Sequence, residues 1–173
     1  VKVRVVIIAA VSADGFISRG TGVPWDLPED RAHFRRLTAG RWLLLGRRTF
    51  EEMTGWFREH RPLVMTRRAL PSPWEGAGVA SVEEAVRRVA EGGGDELWVC
   101  GGAAVYEAAM GYADELILTE VKERLGGGVA FPVVEEGEWE ETRREVGGGE
   151  NPGYDWVWYE RVRKGTGKGG RAM

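Results

Sequence analysis

The chain is poor in the residues that bind metals or form cross-links: its 173 residues include one cysteine, Cys100, and two histidines, His33 and His60. A single cysteine excludes an intrachain disulfide and any site built on several thiolates. The histidines have no partners at zinc-site spacing, so no metal is expected. No apolar run approaches the ~20 residues of a membrane span. The apolar stretch 1–10 lacks the basic flank, length and cleavage pattern of a secretory signal; a cytoplasmic protein without a membrane partner is expected. The formal net charge is only −3, which offers no bulk electrostatic reason to bind nucleic acid. Lysine is confined to Lys2, Lys122, Lys164 and Lys168, against a large excess of arginine. Compositional bias explains that as readily as anion binding does.

What the sequence does contain is an alternation of apolar runs with amphipathic stretches. Val3 to Ala10, Trp42 to Leu45, Pro62 to Thr66, Glu96 to Cys100 and Leu116 to Val121 read as buried strands. Helices are expected from Pro28 to Gly40, over Arg47 to Met53, from Ser81 (with Glu84 at capping-box spacing) to Gly92, and over Ala103 to Met110. Ser12 to Gly22 reads as a mobile loop and Arg67 to Gly78 as a second loop. Glu138 to Val146 and Tyr154 to Val162 alternate with the period of antiparallel strands. The whole predicts an α/β domain over 1–163, a largely parallel sheet with an antiparallel edge, and a flexible Gly-rich tail over 164–173. A small-molecule partner is expected, in a monomer or a homodimer. Trp74, Trp139, Trp156 and Trp158 would suit a dimer edge if exposed and the core if not.

In open α/β sheets ligands bind at the carboxyl ends of strands, and three segments there carry suitable residues. Gly101-Gly102 follows a strand and opens a helix, which allows close backbone approach to a phosphate; a purely structural turn has the same look. Gly46-Arg47-Arg48-Thr49 and Thr66-Arg67-Arg68 end the neighbouring strands and suit a phosphorylated dinucleotide, although each could be a solvated loop. Asp30, Phe34 and Leu37 fall at i, i+4 and i+7 on one helix face. A carboxylate beside an aromatic ring has a structural partner or a chemical role; an acid in a first helical turn is also a common solvated cap.

Pro24-Trp25-Asp26-Leu27-Pro28-Glu29-Asp30 with Phe34, Leu45-Gly46-Arg47-Arg48-Thr49-Phe50-Glu51, Gly101-Gly102-Ala103-Ala104-Val105-Tyr106, Leu118-Thr119 and Phe131-Pro132 occur in that order. Together they resemble the dihydrofolate reductase family over residues 3 to 162. The resemblance implies the dihydrofolate reductase-like fold, with a mainly parallel sheet of about eight strands, an antiparallel C-terminal edge and helices on both faces. It implies NADPH-dependent reduction of 7,8-dihydrofolate to 5,6,7,8-tetrahydrofolate, with hydride to C6 and proton to N5. By similarity Asp30 would bind the pterin and help deliver the proton, Thr119 would bridge to Asp30, Trp25 would order a water beside it, and Tyr106 would lie between nicotinamide and pterin. Ile8, Ala10, Phe34, Met53 and Cys100 would line the substrate site, and Arg61 would hold the folate α-carboxylate. Ala10, Ile17, Gly46, Arg47, Arg48, Thr49, Ala103, Ala104, Val105 and Tyr106 would meet NADPH. Thr66 and Arg67 would lie near its 2′-phosphate, and Gly101-Gly102 would be a cis peptide beside it.

Ser12-x-Asp14-Gly15-x-Ile17 resembles instead the same-fold reductase of riboflavin biosynthesis. Arg31 stands where the dihydrofolate reductase family has an apolar residue, and Gly128 where some members have a loop-bracing acid. An alternative is therefore reduction of a ribosylaminopyrimidine phosphate or another pteridine, with Arg31 or Arg58 as the extra anion site. A non-catalytic nucleotide-binding relative is the third reading.

Overall fold

A computed structural model describes residues 2–20, 24–149 and 151–163. The tail expected over 164–173 lies outside them. β1 (Arg4–Ser12) is apolar along its length because both its faces are covered. Val5, Ile7 and Ala9 pack into one core, and Val6 and Ile8 into the other. β3 (Trp42–Gly46) follows the same rule, with Leu43, Leu44 and Leu45 at 0% exposure. Each such leucine contributes about 1.5–3 kcal/mol relative to an exposed one.

The other strands of the main sheet are β4 (Arg61–Met65), β5 (Gly78–Val79), β6 (Glu96–Gly101), β7 (Glu115–Val121), β9 (Trp139–Gly148) and β10 (Tyr154–Arg161). Their order is β5-β4-β3-β6-β1-β7-β10-β9. Pairing is parallel from β5 through β7, and β10 runs antiparallel to β7 and to β9. α1 (Pro28–Thr38) and α2 (Arg47–Glu52) cover one face through Phe34, Leu37 and Phe50. α3 (Val82–Glu91) and α4 (Ala103–Met110) cover the other through Val82, Ala85, Val89, Val105 and Ala109. The α3 cap forms as its spacing predicts at one end, with Glu84 N–H donating to Ser81 Oγ. The Glu84 carboxylate accepts from Ala80 N–H, one residue earlier than a capping box requires.

Two short strands, β2 (Phe16–Ser18) and β8 (Val129–Ala130), pair as a separate ribbon inside what the sequence shows only as loop. Runs of two or three residues are too short to carry a hydrophobic period. Of these tryptophans Trp139 is buried, while the half-buried Trp74 packs on Phe50 and Phe57, and the half-buried Trp156 and Trp158 pack on His33. They do not form an exposed apolar edge. Among the described residues no helix is long and apolar enough to cross a membrane.

Candidate active site

Parallel pairing brings the carboxyl ends of β1, β3, β6 and β7 to one side of the sheet. A cavity of about 290 Å³ opens there, close to the lower bound of small-molecule sites. β1 and β7 supply Ile8, Ala10, Ile117 and Thr119, and α1 supplies Asp30, Arg31, His33 and Phe34. Thr49, Met53, Trp25, Leu27, Cys100 and Tyr106 complete a predominantly apolar lining.

The Asp30 carboxylate is held from β7 and β10. Thr119 Oγ1 donates to Asp30 Oδ1 over 2.6 Å, and Trp156 Nε1–H donates to the same oxygen over 2.9 Å. The His33 imidazole stacks on the Trp156 ring with centroids 3.9 Å apart and planes 14° from parallel. Burial holds the His33 pKa below its ordinary value, against the opposing pull of Asp30. Its Nε2 is buried without a hydrogen-bond partner among the described residues. Tyr106 donates its hydroxyl to the Ile8 carbonyl at 2.8 Å, and burial pushes its ionisation far up, so the phenol stays neutral.

A second cavity of about 220 Å³ shares Ala10, Thr49, Glu52, Cys100 and Tyr106 with the first. Ile17, Ser18, Arg48, Gly101, Gly102, Ala103 and Val129 also line it. Gly101-Gly102 is a cis peptide. Gly101 has φ +117°, and a Cβ there would meet Tyr106 Oη at 3.2 Å, so the bend needs glycine. Gly102 opens α4 with no side-chain cap, which leaves first-turn amides for an outside acceptor. Just before it, Leu44 pairs with Val99 and Leu45 with Gly101. That extra residue is a bulge at Cys100, and it places Cys100 at both cavities.

The strip over the second cavity is pinned by Asp14. Its carboxylate accepts from Ser12 Oγ (2.6 Å), Leu125 N–H (2.9 Å) and Gly126 N–H (2.7 Å), which hold its pKa down at about 2. Ser12 Oγ also accepts from Phe16 N–H. Ser12, Asp14 and Gly15 thus build the turn into β2. Opposite, Gly128 has φ +125°, and a Cβ there would lie 2.1 Å from the Ser18 carbonyl oxygen. A side chain at 128, acidic or otherwise, has no room in this packing.

The structure therefore gathers Ile8, Ala10, Trp25, Asp30, Phe34, Met53, Cys100, Tyr106 and Thr119 at one cavity, and Ile17, Arg48, Thr49, Gly101, Gly102 and Ala103 at the other. Other residues fall elsewhere. Gly46 packs against Val105 and against the Gly101–Gly102 peptide without lining either cavity, and Ala104 is exposed on α4. Arg47 pairs with Glu51 and ties α2 to the loop after β4 through Thr66 Oγ1 and the carbonyls of Arg68 and Ala69. Arg67 is exposed beside it. Trp25 lines the cavity, but its indole N–H is donated to Glu123 at 3.0 Å, which commits the group expected to order a water. Arg61 is a correction. It is the first residue of β4, paired with the first residue of β3, and its guanidinium lies over the Trp42 ring. That is the amino end of parallel strands, opposite the cavity. Arg58 is tied to the carbonyls of Gly55 and Phe57, and Arg31 to Asp26.

Three functional neighbours escaped the sequence reading. His33 follows Asp30 at i+3, a spacing that shares its face, but histidine was weighed only as a metal ligand. Glu52 reaches both cavities from the end of α2, and a charged residue on a short helix carries no signal. Trp156, in an alternating run, was weighed as a dimer-edge or core aromatic and not as a hydrogen-bond donor.

A family model described as dihydrofolate reductase matches residues 4–163. The chain is 38% identical to dihydrofolate reductase HdrB of Haloferax volcanii over 168 residues, covering 92% of this chain and 84% of that one. It is 36% identical over 149 residues to the dihydrofolate reductase of Mycobacterium tuberculosis (79% and 89% covered), and 32% identical over 157 residues to that of Bacillus subtilis (89% and 92%).

Proposed function

The chain belongs to the dihydrofolate reductase family, and from that premise we propose that it reduces 7,8-dihydrofolate to 5,6,7,8-tetrahydrofolate with NADPH, the pteridine in the Asp30 cavity and the nicotinamide in the cavity adjoining it. The observation that carries this is the contiguity of the two. A carboxylate with a defined hydrogen-bond environment lies in an apolar cavity, and that cavity shares Ala10, Thr49, Cys100 and Tyr106 with a glycine-lined one.

The pteridine's 2-amino group and N3 present donors that match a carboxylate, so Asp30 binds and orients the ring and assists protonation at N5. Ile8, Phe34, Met53 and Ile117 give the ring apolar contact and keep water away from it. Tyr106, a neutral phenol already bonded to Ile8, serves as wall and spacer. Trp25, with its N–H on Glu123, lends its ring to the wall of the same cavity. The hydride for C6 would come from NADPH bound in the adjoining cavity. The cradle fits a dinucleotide phosphate: Gly101 and Gly102 admit close approach, the first turn of α4 offers amides, and Arg48 and Thr49 stand beside them. Arg67, exposed at the end of β4 near Thr66, is the residue for a 2′-phosphate.

A ribosylaminopyrimidine phosphate is less well served at this site: Arg58 is tied to the carbonyls of Gly55 and Phe57, and Arg31, which lines the cavity, is paired with Asp26. A non-catalytic nucleotide binder would have no use for an acid held by two donors. The test is NADPH oxidation by the purified protein with dihydrofolate, with the pyrimidine phosphate, and with NADH replacing NADPH. Dihydrofolate should turn over and prefer NADPH. Asp30→Asn should lower kcat at neutral pH by about 100-fold or more while NADPH binding persists. Turnover of the pyrimidine alone, or an unchanged kcat in Asp30→Asn, would overturn the assignment.

A further inference from the structure

Asp30 is the only carboxylate of α1 that faces the cavity, and its two donors act on one oxygen. Their placement follows from sheet register. Trp156 of β10 and Thr119 of β7 are directly paired in the antiparallel ladder, so both side chains leave the sheet on the same face, as neighbours. That face is the one α1 covers. The Thr119 hydroxyl and the Trp156 indole N–H therefore reach the same atom, Asp30 Oδ1, over 2.6 and 2.9 Å. Among the described residues no hydrogen-bond donor is directed at Oδ2. Thr119 lines the cavity and Trp156 does not. The tryptophan thus acts on the carboxylate from behind.

Two further contacts fix the indole. Its face stacks on His33 at 3.9 Å and its ring lies tilted against Tyr154 at 5.9 Å. A ring in these two contacts cannot swing its N–H away without losing the stack, so the donor is preorganised.

We propose that Trp156 is a positioning residue for the proposed acid: its indole N–H, with the Thr119 hydroxyl, commits Asp30 Oδ1 and leaves Oδ2 as the oxygen that meets the substrate. This rests on the reading of Asp30 as the substrate-binding acid. A carboxylate with one oxygen doubly bonded has a fixed plane, so the other oxygen meets an amino-pyrimidine edge without a search over rotamers. The charged and titratable groups around the carboxylate are Glu29, Arg31 and His33 of α1 and Tyr154 of β10, with Glu52 across the cavity. Arg36, Arg143 and Glu145 act on His33. All of these stay in place when only the indole N–H is removed.

The test is Trp156→Phe, which keeps an aromatic ring for His33 to stack on and deletes the donor, compared with Trp156→Leu and Asp30→Asn. Reduction of dihydrofolate is followed over a range of dihydrofolate concentrations with NADPH saturating, and NADPH binding is measured by fluorescence titration. In Trp156→Phe KM for dihydrofolate should rise about tenfold as Oδ2 loses its fixed direction, with the rate at saturating dihydrofolate and the NADPH affinity unchanged. Trp156→Leu, which also lacks the N–H, should show the same rise with a larger loss of stability. A structural role alone would lower the saturated rate and the stability without that split between KM and kcat. A folded Trp156→Phe protein with the wild-type KM overturns the proposal, as does a fall in its saturated rate with KM unchanged. If Trp156→Phe is unaltered while Asp30→Asn loses turnover, the acid stands and only the positioning role falls. If Asp30→Asn keeps wild-type turnover, the assignment of the acid falls first.

Discussion

Acidification from about pH 7 to about pH 5 should destabilise this protein steeply, and the two histidines should be the cause. His33 and His60 are 9% and 8% exposed. Both have pKa values lowered from the ordinary 6.5, in each case chiefly by burial. Asp30 and Glu145 oppose the shift at His33 while Arg36 and Arg143 add to it; at His60, Arg35 adds and Glu59 opposes. The tautomer of His60 is fixed by its neighbours. Arg58 N–H donates to Nδ1, so the proton sits on Nε2 and is offered to Thr38 Oγ1, 3.2 Å away, while the Thr38 hydroxyl donates to the Phe34 carbonyl. A second proton on Nδ1 would face an N–H and remove that acceptor. Because the folded pKa lies below the unfolded one, the unfolded chain binds more protons in the interval between them. Stability is therefore present in full above about 6.5 and is lost as pH falls toward the folded values. Two histidines neutral in the fold and charged in the unfolded chain set an upper bound on the slope of about 2.7 kcal/mol per pH unit. Asp14 and Asp155 have lowered pKa values as well, and their contribution is lost only at more acid pH, below the ordinary 3.8. The measurement is urea unfolding at closely spaced pH values, with His60→Gln beside the parent. The variant should retain about half the slope. A flat or inverted dependence over this interval would falsify the buried-neutral description. The consequence reaches function, because His33 anchors the middle of α1, the helix that carries Asp30, and His60 holds Thr38 at its C-terminal end.

Two other perturbations address the strip over the second cavity. Gly128→Ala places a Cβ against the Ser18 carbonyl at a φ of +125°, a conformation that costs a substituted residue about 1–3 kcal/mol. It should lower the melting temperature and raise KM for NADPH, and a variant matching the parent in both would show that β2 packs elsewhere in solution. Asp14→Ala removes the acceptor for Ser12, Leu125 and Gly126, so limited proteolysis should cut faster within residues 13–20, with a higher KM for NADPH. Since the carboxyl titrates at about 2, the shape of the pH–rate profile above about pH 4 should be the same in parent and variant; a change of shape there would argue against a purely holding role.

Most of the architecture was legible because the central strands are buried on both faces. Leu43, Leu44 and Leu45 can be consecutive and apolar only where helices cover both sides of a parallel sheet, and such runs stand out. The glycine pair was legible for a different reason, since two glycines between a strand and a helix mark a backbone that takes a conformation or a close approach other residues resist. The short strands β2, β5 and β8 are set by tertiary pairing rather than by local pattern. The bulge at Cys100 is likewise invisible locally, because it exists only relative to Leu44 and Leu45 of the neighbouring strand. Without it, Cys100 reads as one more core residue of β6.

Arg61 and Trp156 show what local pattern leaves open. Both flank or occupy strands whose existence is plain from composition, and in both cases the missing quantity is register. Arg61 precedes an apolar run, so its place depends on which end of the sheet that run begins. β4 starts level with Trp42 and ends level with Gly46, so the residue before the run is a full strand length from the ligand side. At about 3.3 Å per residue even a long arginine side chain cannot recover that distance. Trp156 lies in the alternating run of β10, and alternation assigns it a face but no partner. The partner comes from the pairing of β10 with β7, which sets Trp156 beside Thr119 and hence beside Asp30. A slip of one residue would put Asp155 or Val157 on that face instead, and the carboxylate would lose its indole donor. The geometry of the acid is thus written into the last strand to join the sheet's parallel half, and substitutions that disturb β10 far from the cavity should disturb Asp30 as well.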